Sequence, residues 1–225
     1  IVAGDLLFAK VYETITKYTD TRHVPPKRIL QVLRDISEAT ITICEGQTLD
    51  MMFESRESVS EDEYFEMIRG KTAALFEVSA RCGGILGGAK KSQVKNLGRF
   101  GYYAGLAFQL IDDVLGLTAD EKILGKPVGS DIREGKRTLI IVHALKHASE
   151  TQRKNILETL GDRSASPERI RKTIDLVGSL DSISYVEEKA MEYNKKSKNA
   201  LTDFPSTKDK EDLINLADLI IARKY

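Results

Sequence analysis

Two adjacent aspartates, Asp112 and Asp113, lie inside an otherwise apolar stretch of residues 104–117. Gln109 precedes them by three and four residues, so on a helix its side chain lies on the same face as both carboxylates. Two neighbouring acids repel each other and are costly to bury. A magnesium ion removes that cost, because its ligands are carboxylate oxygens, waters and substrate phosphates. The alternative interpretation is a solvated helix edge that carries two ordinary aspartates.

Two lysines follow the aspartates in a segment that glycines interrupt. Lys126 stands between Gly125 and Pro127, and Lys136 follows Gly135. A lysine beside a glycine can approach a phosphate closely, where its ammonium group acts as a compact positive charge. The alternative is that both are ordinary loop lysines.

Two groups of residues on earlier helices could take part in the same chemistry. Lys71 and Thr72 open a run of small and apolar residues, where an ammonium group and a hydroxyl fit the outer oxygens of a diphosphate. Gln47 and Asp50 share a helix face, and Gly46 beside them permits backbone or ligand to pass closely. The alternative for Lys71 is an amphipathic-helix lysine that extends to water.

Helical periodicity runs through the chain and predicts an all-α fold, a bundle of long antiparallel helices. Pro26 suits the first turn of one helix, Ser60 with Glu63 forms a capping box for the next, and Ser92 can cap a third. The glycines at 83–84 and 87–88 are expected to loosen the chain. The predicted helices cover residues 5–18, 27–55, 60–81, 93–116, 138–147, 151–160, 167–180, 182–201 and 207–222.

The composition fits a single domain over residues 1–225 and argues against nucleic-acid binding. The 34 basic and 34 acidic side chains cancel, so no long-range field attracts nucleic acid or anionic lipid. No apolar run approaches the ~20 residues that span a bilayer. Cys44 and Cys82 are too few for a disulfide framework and are expected to be buried free thiols in a reducing compartment, the cytoplasm.

The sequence opens at Ile1 in mid-pattern, without a methionine, in what reads as a core-bound helix. Leu7, Val11, Ile15 and Tyr18 form the apolar face of that helix. We therefore expect the domain to be incomplete at its N-terminus, with natural sequence upstream of Ile1.

The order and spacing of the motifs together resemble those of the trans-isoprenyl diphosphate synthases. The motifs are Gln47-x-x-Asp50, Lys71-Thr72, Phe108-Gln109-x-x-Asp112-Asp113, Gly125-Lys126 and Gly135-Lys136-x-Thr138. The continuation over residues 115–121 is most similar to archaeal-type geranylgeranyl diphosphate synthases. The resemblance covers the chain from Gly4 onward, and the residues after about Thr151 add little to it.

This resemblance implies the isoprenoid synthase fold, with helices around a central cavity. It also implies a magnesium-dependent condensation of isopentenyl diphosphate with an allylic diphosphate (dimethylallyl, geranyl or farnesyl). The favoured product is geranylgeranyl diphosphate, and farnesyl diphosphate is next. Up to three magnesium ions would be bound, and the resemblance implies a homodimer that packs through residues 5–18 and 27–45.

The resemblance also implies a role for each motif residue. Asp112 and Asp113 are the implied magnesium ligands, and Phe108 is an implied wall of the hydrocarbon cavity. The implied diphosphate-binding residues are Lys71, Lys126, Lys136, Thr72 and Gln109. Among them, Thr72 and Gln109 are the implied polar contacts near the reacting carbon. The expected catalytic residues are Lys71, Thr72, Gln109 and Asp112.

The sequence departs from the family pattern in two places. The third acid of the aspartate motif would fall at Gly116, and Asp120 is a candidate substitute. The first aspartate-rich motif and the site for isopentenyl diphosphate would precede Ile1.

Two alternative functions stay open. The first is a non-catalytic partner subunit that modulates a complete homologue, and the second is a class I terpene cyclase of the same fold. His143 and His147 have the i, i+4 spacing of zinc proteases. The acid that such a motif carries between its histidines is missing here, so we interpret both as surface or core residues.

Overall fold

The computed structural model describes residues 1–119 and 128–223, and within these ranges every regular element is a helix. The all-α prediction is therefore confirmed. The elements are α1 Val2–Tyr18, α2 Pro26–Glu54, α3 Glu61–Ile68, a π-helical segment Arg69–Ala73, α4 Ala74–Leu86, α5 Lys91–Thr118, α6 Ser130–Glu134, α7 Leu139–His147, α8 Glu150–Thr159, α9 Pro167–Ser179, α10 Ser182–Asn199 and α11 Lys208–Ile221.

Two predicted helix starts are confirmed. Pro26 occupies the first turn of α2, where its missing N–H group costs nothing. At the start of α3, the backbone N–H of Glu63 donates to the Ser60 hydroxyl at 3.2 Å, and the Ser60 N–H donates to the Glu63 carboxylate at 2.8 Å. This reciprocal capping box satisfies two N–H groups that lack partners inside the helix.

Two local predictions are wrong. Ser92 does not cap α5, because that helix already begins at Lys91 and the Lys90 N–H instead donates to the Gln93 side chain at 2.9 Å. Gly83 and Gly84 do not loosen the chain either, since α4 continues to Leu86. The break comes at Gly88, where a positive φ of 80° favours glycine.

The centre of the molecule is α5, against which α4 and α10 pack. Small residues on α5 make this packing possible: a Cβ atom added at Gly101 would lie 2.3 Å from the carbonyl oxygen of Phe76 on α4. The surrounding core includes Tyr64, Leu106 and Leu110, all of them fully or almost fully buried. Consequently, α5 holds Gln109 and Asp113 at a rigid position close to α3 and the π-helical segment.

The prediction of a core-bound first helix is wrong for the single chain. No residue of α1 is buried, and Leu7 and Tyr18 are 69% and 66% exposed. The helix contacts α2, with the Tyr12 hydroxyl 3.4 Å from the Ser37 hydroxyl. The apolar face of α1 is thus exposed and does not pack against the core of this chain.

The two cysteines are free thiols, as predicted, but Cys44 is exposed and Cys82 only half-buried. The expectation that both are buried is therefore wrong.

A separate prediction concerns membranes: within the described ranges, no helix has the length and apolar character that crossing a bilayer requires.

Candidate functional site

The site begins where α2 crosses the π-helical segment at two glycines. A Cβ atom at Gly46 would lie 2.1 Å from the Lys71 backbone nitrogen and 2.6 Å from the Gly70 carbonyl carbon. A Cβ atom at Gly70 would lie 3.0 Å from the Gly46 Cα. The two backbones are in direct contact, and only glycine leaves room for it.

The segment Arg69–Ala73, which contains the crossing glycine Gly70, is a π-helix, a short irregularity that is frequent at functional sites. It carries Lys71 and Thr72. The Lys71 ammonium group donates to the Asp50 carboxylate at 2.6 Å, and Asp50 is itself buried on α2. Lys71 is thus held between two elements and does not simply extend to water.

Four polar side chains form a hydrogen-bonded chain that runs from the core to Thr72. The Tyr64 hydroxyl donates to Asp113 Oδ2 at 2.7 Å, and Gln109 Nε2 donates to Asp113 Oδ1 at 2.8 Å. The Thr72 hydroxyl donates to Gln109 Oε1 at 2.6 Å. The structure therefore brings the predicted residues Thr72, Gln109 and Asp113 together.

Both oxygens of Asp113 accept a hydrogen bond, yet the carboxyl group is only 7% exposed. Burial raises the pKa of Asp113 to about 7, against the opposing effect of the bonds from Tyr64 and Gln109. Burial also raises the pKa of Tyr64 well above its ordinary value, and the carboxylates of Asp113, Asp50 and Asp112 add to that shift. Of these acids, Asp113 is the one in direct contact with the phenol.

Asp112 has a different environment from its neighbour. It is exposed, and it makes no hydrogen bond or ion pair with another residue in the described ranges. Among the described residues, Asp112 is therefore the one of the two adjacent acids whose oxygens no other side chain occupies.

A third carboxylate, that of Asp131, lies beside Gly116, which is one helical turn after Asp112 on α5. A Cβ atom at Gly116 would lie 2.9 Å from the Asp131 Oδ2 atom, so a carboxylate from α6 stands beside the position where the motif's third acid is missing. Asp131 also contributes to the raised pKa of Asp113. The candidate substitute Asp120 lies outside the described residues.

Lys136 joins the same region through Asp131. Its ammonium group lies 3.3 Å from the Asp131 carboxylate and 3.2 Å from that of Glu134. Burial acts to lower the pKa of Lys136, but the two facing carboxylates outweigh it and the pKa lies above its ordinary value. Lys136 is therefore a fixed positive charge at the end of α5.

The remaining predicted residues are Lys126, Gln47 and Phe108. Lys126 is outside the described residues, so its predicted role stays a prediction. Gln47 is exposed and does not join its motif partner Asp50 in the buried contact with Lys71. The Phe108 ring lies 5.3 Å from the Phe76 ring and is partly buried between α4 and α11.

The two histidines of α7 lie away from this site, on a surface beside α10. Their rings are 4.3 Å apart, and His143 stacks on Tyr185 at 4.2 Å and contacts the Ser182 hydroxyl at 3.0 Å. His143 is half-buried and His147 exposed, so their interpretation as surface or core residues fits the structure.

Sequence reasoning missed Tyr64 and Asp131. Nothing in the local pattern distinguishes Tyr64 from any other apolar residue on the inner face of α3, since its partner is 49 positions away. The sequence position of Asp131 could have indicated its role. Asp131 lies five residues before Lys136, in a glycine-bounded segment that follows the incomplete acidic motif.

The donors on this face suit magnesium. Among residues 1–119 and 128–223, no group of three or more His, Cys, Asp or Glu side chains is close enough to hold a metal alone. Magnesium does not require such a group, because it typically takes one or two carboxylates and completes its shell with water and substrate phosphates. The open carboxylate of Asp112, with Asp131 one turn further, meets that description.

Comparison with known proteins identifies the family to which this helical bundle belongs. The family model for polyprenyl synthetase matches residues 1–177. The geranylgeranyl diphosphate synthase of Sulfolobus acidocaldarius is 40% identical over 226 residues, an alignment that covers all of this chain and 68% of that protein.

Solved structures give the same result. Geranylgeranyl pyrophosphate synthetase from Pyrococcus horikoshii is 43% identical with a TM-score of 0.87, over all of this chain and 67% of that one. Polyprenyl synthase from Caulobacter crescentus, complexed with calcium and isoprenyl diphosphate, is 29% identical with a TM-score of 0.89, over all of this chain and 66% of that one.

This chain belongs to the polyprenyl synthetase family. It spans about two thirds of the length of the relatives it matches.

Proposed function

We propose that this protein is a magnesium-dependent prenyltransferase. It condenses isopentenyl diphosphate with an allylic diphosphate to a longer trans-prenyl diphosphate, and geranylgeranyl diphosphate is the product we favour. The observation that supports this most directly is the contact between Thr72, Gln109 and Asp113, which the fold gathers beside Lys71. Relatives about 40% identical and named geranylgeranyl diphosphate synthase support the product class.

In this proposal, the protein's own cations stabilise the charge that develops as the allylic diphosphate departs. Lys71 and Lys136 are each paired with carboxylates of the protein. A diphosphate carries more charge than a single carboxylate, so it can draw each ammonium group toward itself. Positioned charges of this kind usually give the largest catalytic effect in such a site. Lys126 is proposed as a third contact.

The acids would hold magnesium, with Asp112 as the open ligand and Asp113 beside it. Magnesium, when bound, neutralises the diphosphate and polarises its bond to the allylic carbon. Up to three ions are proposed, as in the sequence-based expectation. Thr72 and Gln109 would orient the reacting carbon, and Phe108 would shield it from water on the apolar side.

We further propose a homodimer that buries the faces of α1 and α2, in the cytoplasm, where free cysteines stay reduced. The two helices expose large apolar side chains, with Leu7 on α1 and Leu30 and Ile41 on α2 at 69%, 60% and 60% exposure, as a partner surface would. Light scattering at micromolar protein is expected to give twice the chain mass. A monomer would contradict this part of the proposal.

The elongation reaction itself provides the functional test. Purified protein is incubated with magnesium, labelled isopentenyl diphosphate and, in separate reactions, dimethylallyl, geranyl and farnesyl diphosphate, and product length is analysed. We expect elongated products that end at the geranylgeranyl length. Absence of any elongated product would contradict the proposal.

The second candidate is a non-catalytic partner subunit. It predicts no elongation by the protein alone and a changed product length when the protein is added to a complete homologue.

A further inference from the structure

Tyr64 belongs to none of the motifs described above, yet it is the innermost member of the hydrogen-bonded chain. Its side chain is 0% exposed, and its hydroxyl donates to Asp113 at 2.7 Å. A phenylalanine would fill the same volume without a polar atom to desolvate. The phenol therefore places a hydrogen-bond donor where the core alone would not need one.

Because of the position of Tyr64 in the fold, its hydrogen bond links two helices of the site. Tyr64 lies on α3, which continues directly into the π-helical segment with Lys71 and Thr72, whereas Asp113 lies on α5. The phenol–carboxylate contact therefore ties the helix that leads to Thr72 to the helix that carries Gln109. It does so across 49 residues of sequence.

The contacts also set a direction for every hydrogen bond in the chain. Asp113 accepts from Tyr64 and from the Gln109 amide nitrogen, so the Gln109 amide oxygen must point toward Thr72. The Thr72 hydroxyl donates its proton to that oxygen. Its own oxygen then has only lone pairs left for a ligand, and lone pairs suit a centre that develops positive charge.

We propose that Tyr64 is a positioning residue of the prenyl-transfer site. By holding the Asp113 carboxylate, it fixes the amide orientation of Gln109 and, through Gln109, the direction in which Thr72 offers its lone pairs to the reacting carbon. This inference rests on the proposed function, because it gives Thr72 a role in stabilising the allylic cation.

The chain offers a matched control for testing this inference. The Tyr185 hydroxyl also donates to a carboxylate, that of Glu61 at 2.8 Å, and its ring stacks on His143 of α7. Tyr64→Phe and Tyr185→Phe therefore each remove one hydroxyl from one carboxylate. Both are assayed at a temperature where thermal unfolding shows them fully folded.

We expect Tyr64→Phe to lower kcat by about tenfold to a hundredfold, the usual effect of losing a supporting contact behind a catalytic group. The KM for the allylic diphosphate should change little, because the lysines still bind the diphosphate. Tyr185→Phe should leave both constants unchanged. In the double variant of Tyr64→Phe with Asp113→Asn, the losses should be clearly less than additive, since Tyr64 acts through Asp113.

A second readout requires neither metal nor turnover. The side-chain amide resonance of Gln109, identified by its absence from Gln109→Glu, should shift or broaden in Tyr64→Phe and stay in place in Tyr185→Phe. This readout separates the two hypotheses: if the wild-type protein does not elongate substrates, the proposed function fails, while the resonance still reports whether Tyr64 orients Gln109.

Two results would overturn the inference. One is an unchanged Gln109 resonance in Tyr64→Phe. The other is a kcat loss equal to that of Tyr185→Phe, which would show that the hydroxyl has only a structural role.

Discussion

The substitution Gly46→Ala tests whether the close crossing of α2 and the π-helical segment positions the site. The added methyl group would meet three backbone atoms, at 2.1, 2.6 and 2.9 Å, and backbone cannot rotate away as a side chain can. Ordinary van der Waals contact begins at 3.4 Å, so the two segments must separate by roughly 1 Å or more. Lys71 and Thr72 move with the segment that is displaced.

Two energetic effects oppose each other in this variant. Overpacking typically costs about 1–3 kcal/mol, and a backbone clash belongs at the upper end. Alanine gains back up to ~1 kcal/mol in a helix interior. We therefore expect a net loss of about 2 kcal/mol in the free energy of unfolding. A displacement of about 1 Å in a positioned catalytic group should also lower turnover by ~10²-fold.

Gly83→Ala is the matched control, because a Cβ atom at Gly83 on α4 meets nothing within 4 Å. It should raise stability by up to ~1 kcal/mol through helix propensity alone and leave turnover unchanged. Urea unfolding and steady-state elongation measure both properties. If Gly46→Ala matched wild type in stability and turnover, the reasoning about the crossing would be refuted.

Two further predictions concern ionisable groups. Burial raises the folded-state pKa of Asp113 from 3.8 to about 7, so wild type loses stability as the pH rises from about 4 to about 7, because the unfolded state gives up this proton first. The stability of Asp113→Asn relative to wild type should therefore increase from about pH 4 to about pH 7 and stay level above that. A difference that stays constant with pH in urea titrations would contradict that assignment. Lys136→Ala should raise the KM for the allylic diphosphate yet change stability by no more than ~1 kcal/mol. Lys172→Ala, which breaks an exposed pair with Glu168, should change neither property. Equal KM values for the two variants would argue against a diphosphate role for Lys136.

The fold class and most helices were predictable from sequence because they depend on local information. Periodicity and the capping box at Ser60 act within one or two turns, and both predictions are confirmed. The failures at Gly83 and Ser92 have a shared cause. Glycine and serine indicate a helix end only by propensity, and the packing of α4 against α5 outweighs a preference of about 1 kcal/mol.

The site was predictable only in part. The sequence pattern indicated Thr72, Gln109 and Asp113 as members of one site, and the structure brings them into contact. The difference between Asp112 and Asp113 could not be read from two adjacent letters, because it comes from the burial of one side chain under Tyr64. The contacts of Tyr64 and Asp131 are likewise tertiary and need the fold.

The homodimer and the magnesium ions remain proposals. The exposed apolar residues of α1 agree with a partner surface, and the open carboxylate of Asp112 agrees with a metal ligand.

The most direct test of the central claim is magnesium-dependent release of inorganic diphosphate by Asp112→Asn, with isopentenyl diphosphate and an allylic diphosphate as substrates. Asp175→Asn is the control, because Asp175 is an exposed aspartate on α9 that takes part in none of the site contacts described above. We predict that Asp112→Asn folds like wild type and loses at least ~10²-fold in turnover, and that Asp175→Asn behaves as wild type. Undiminished diphosphate release by Asp112→Asn would contradict the account.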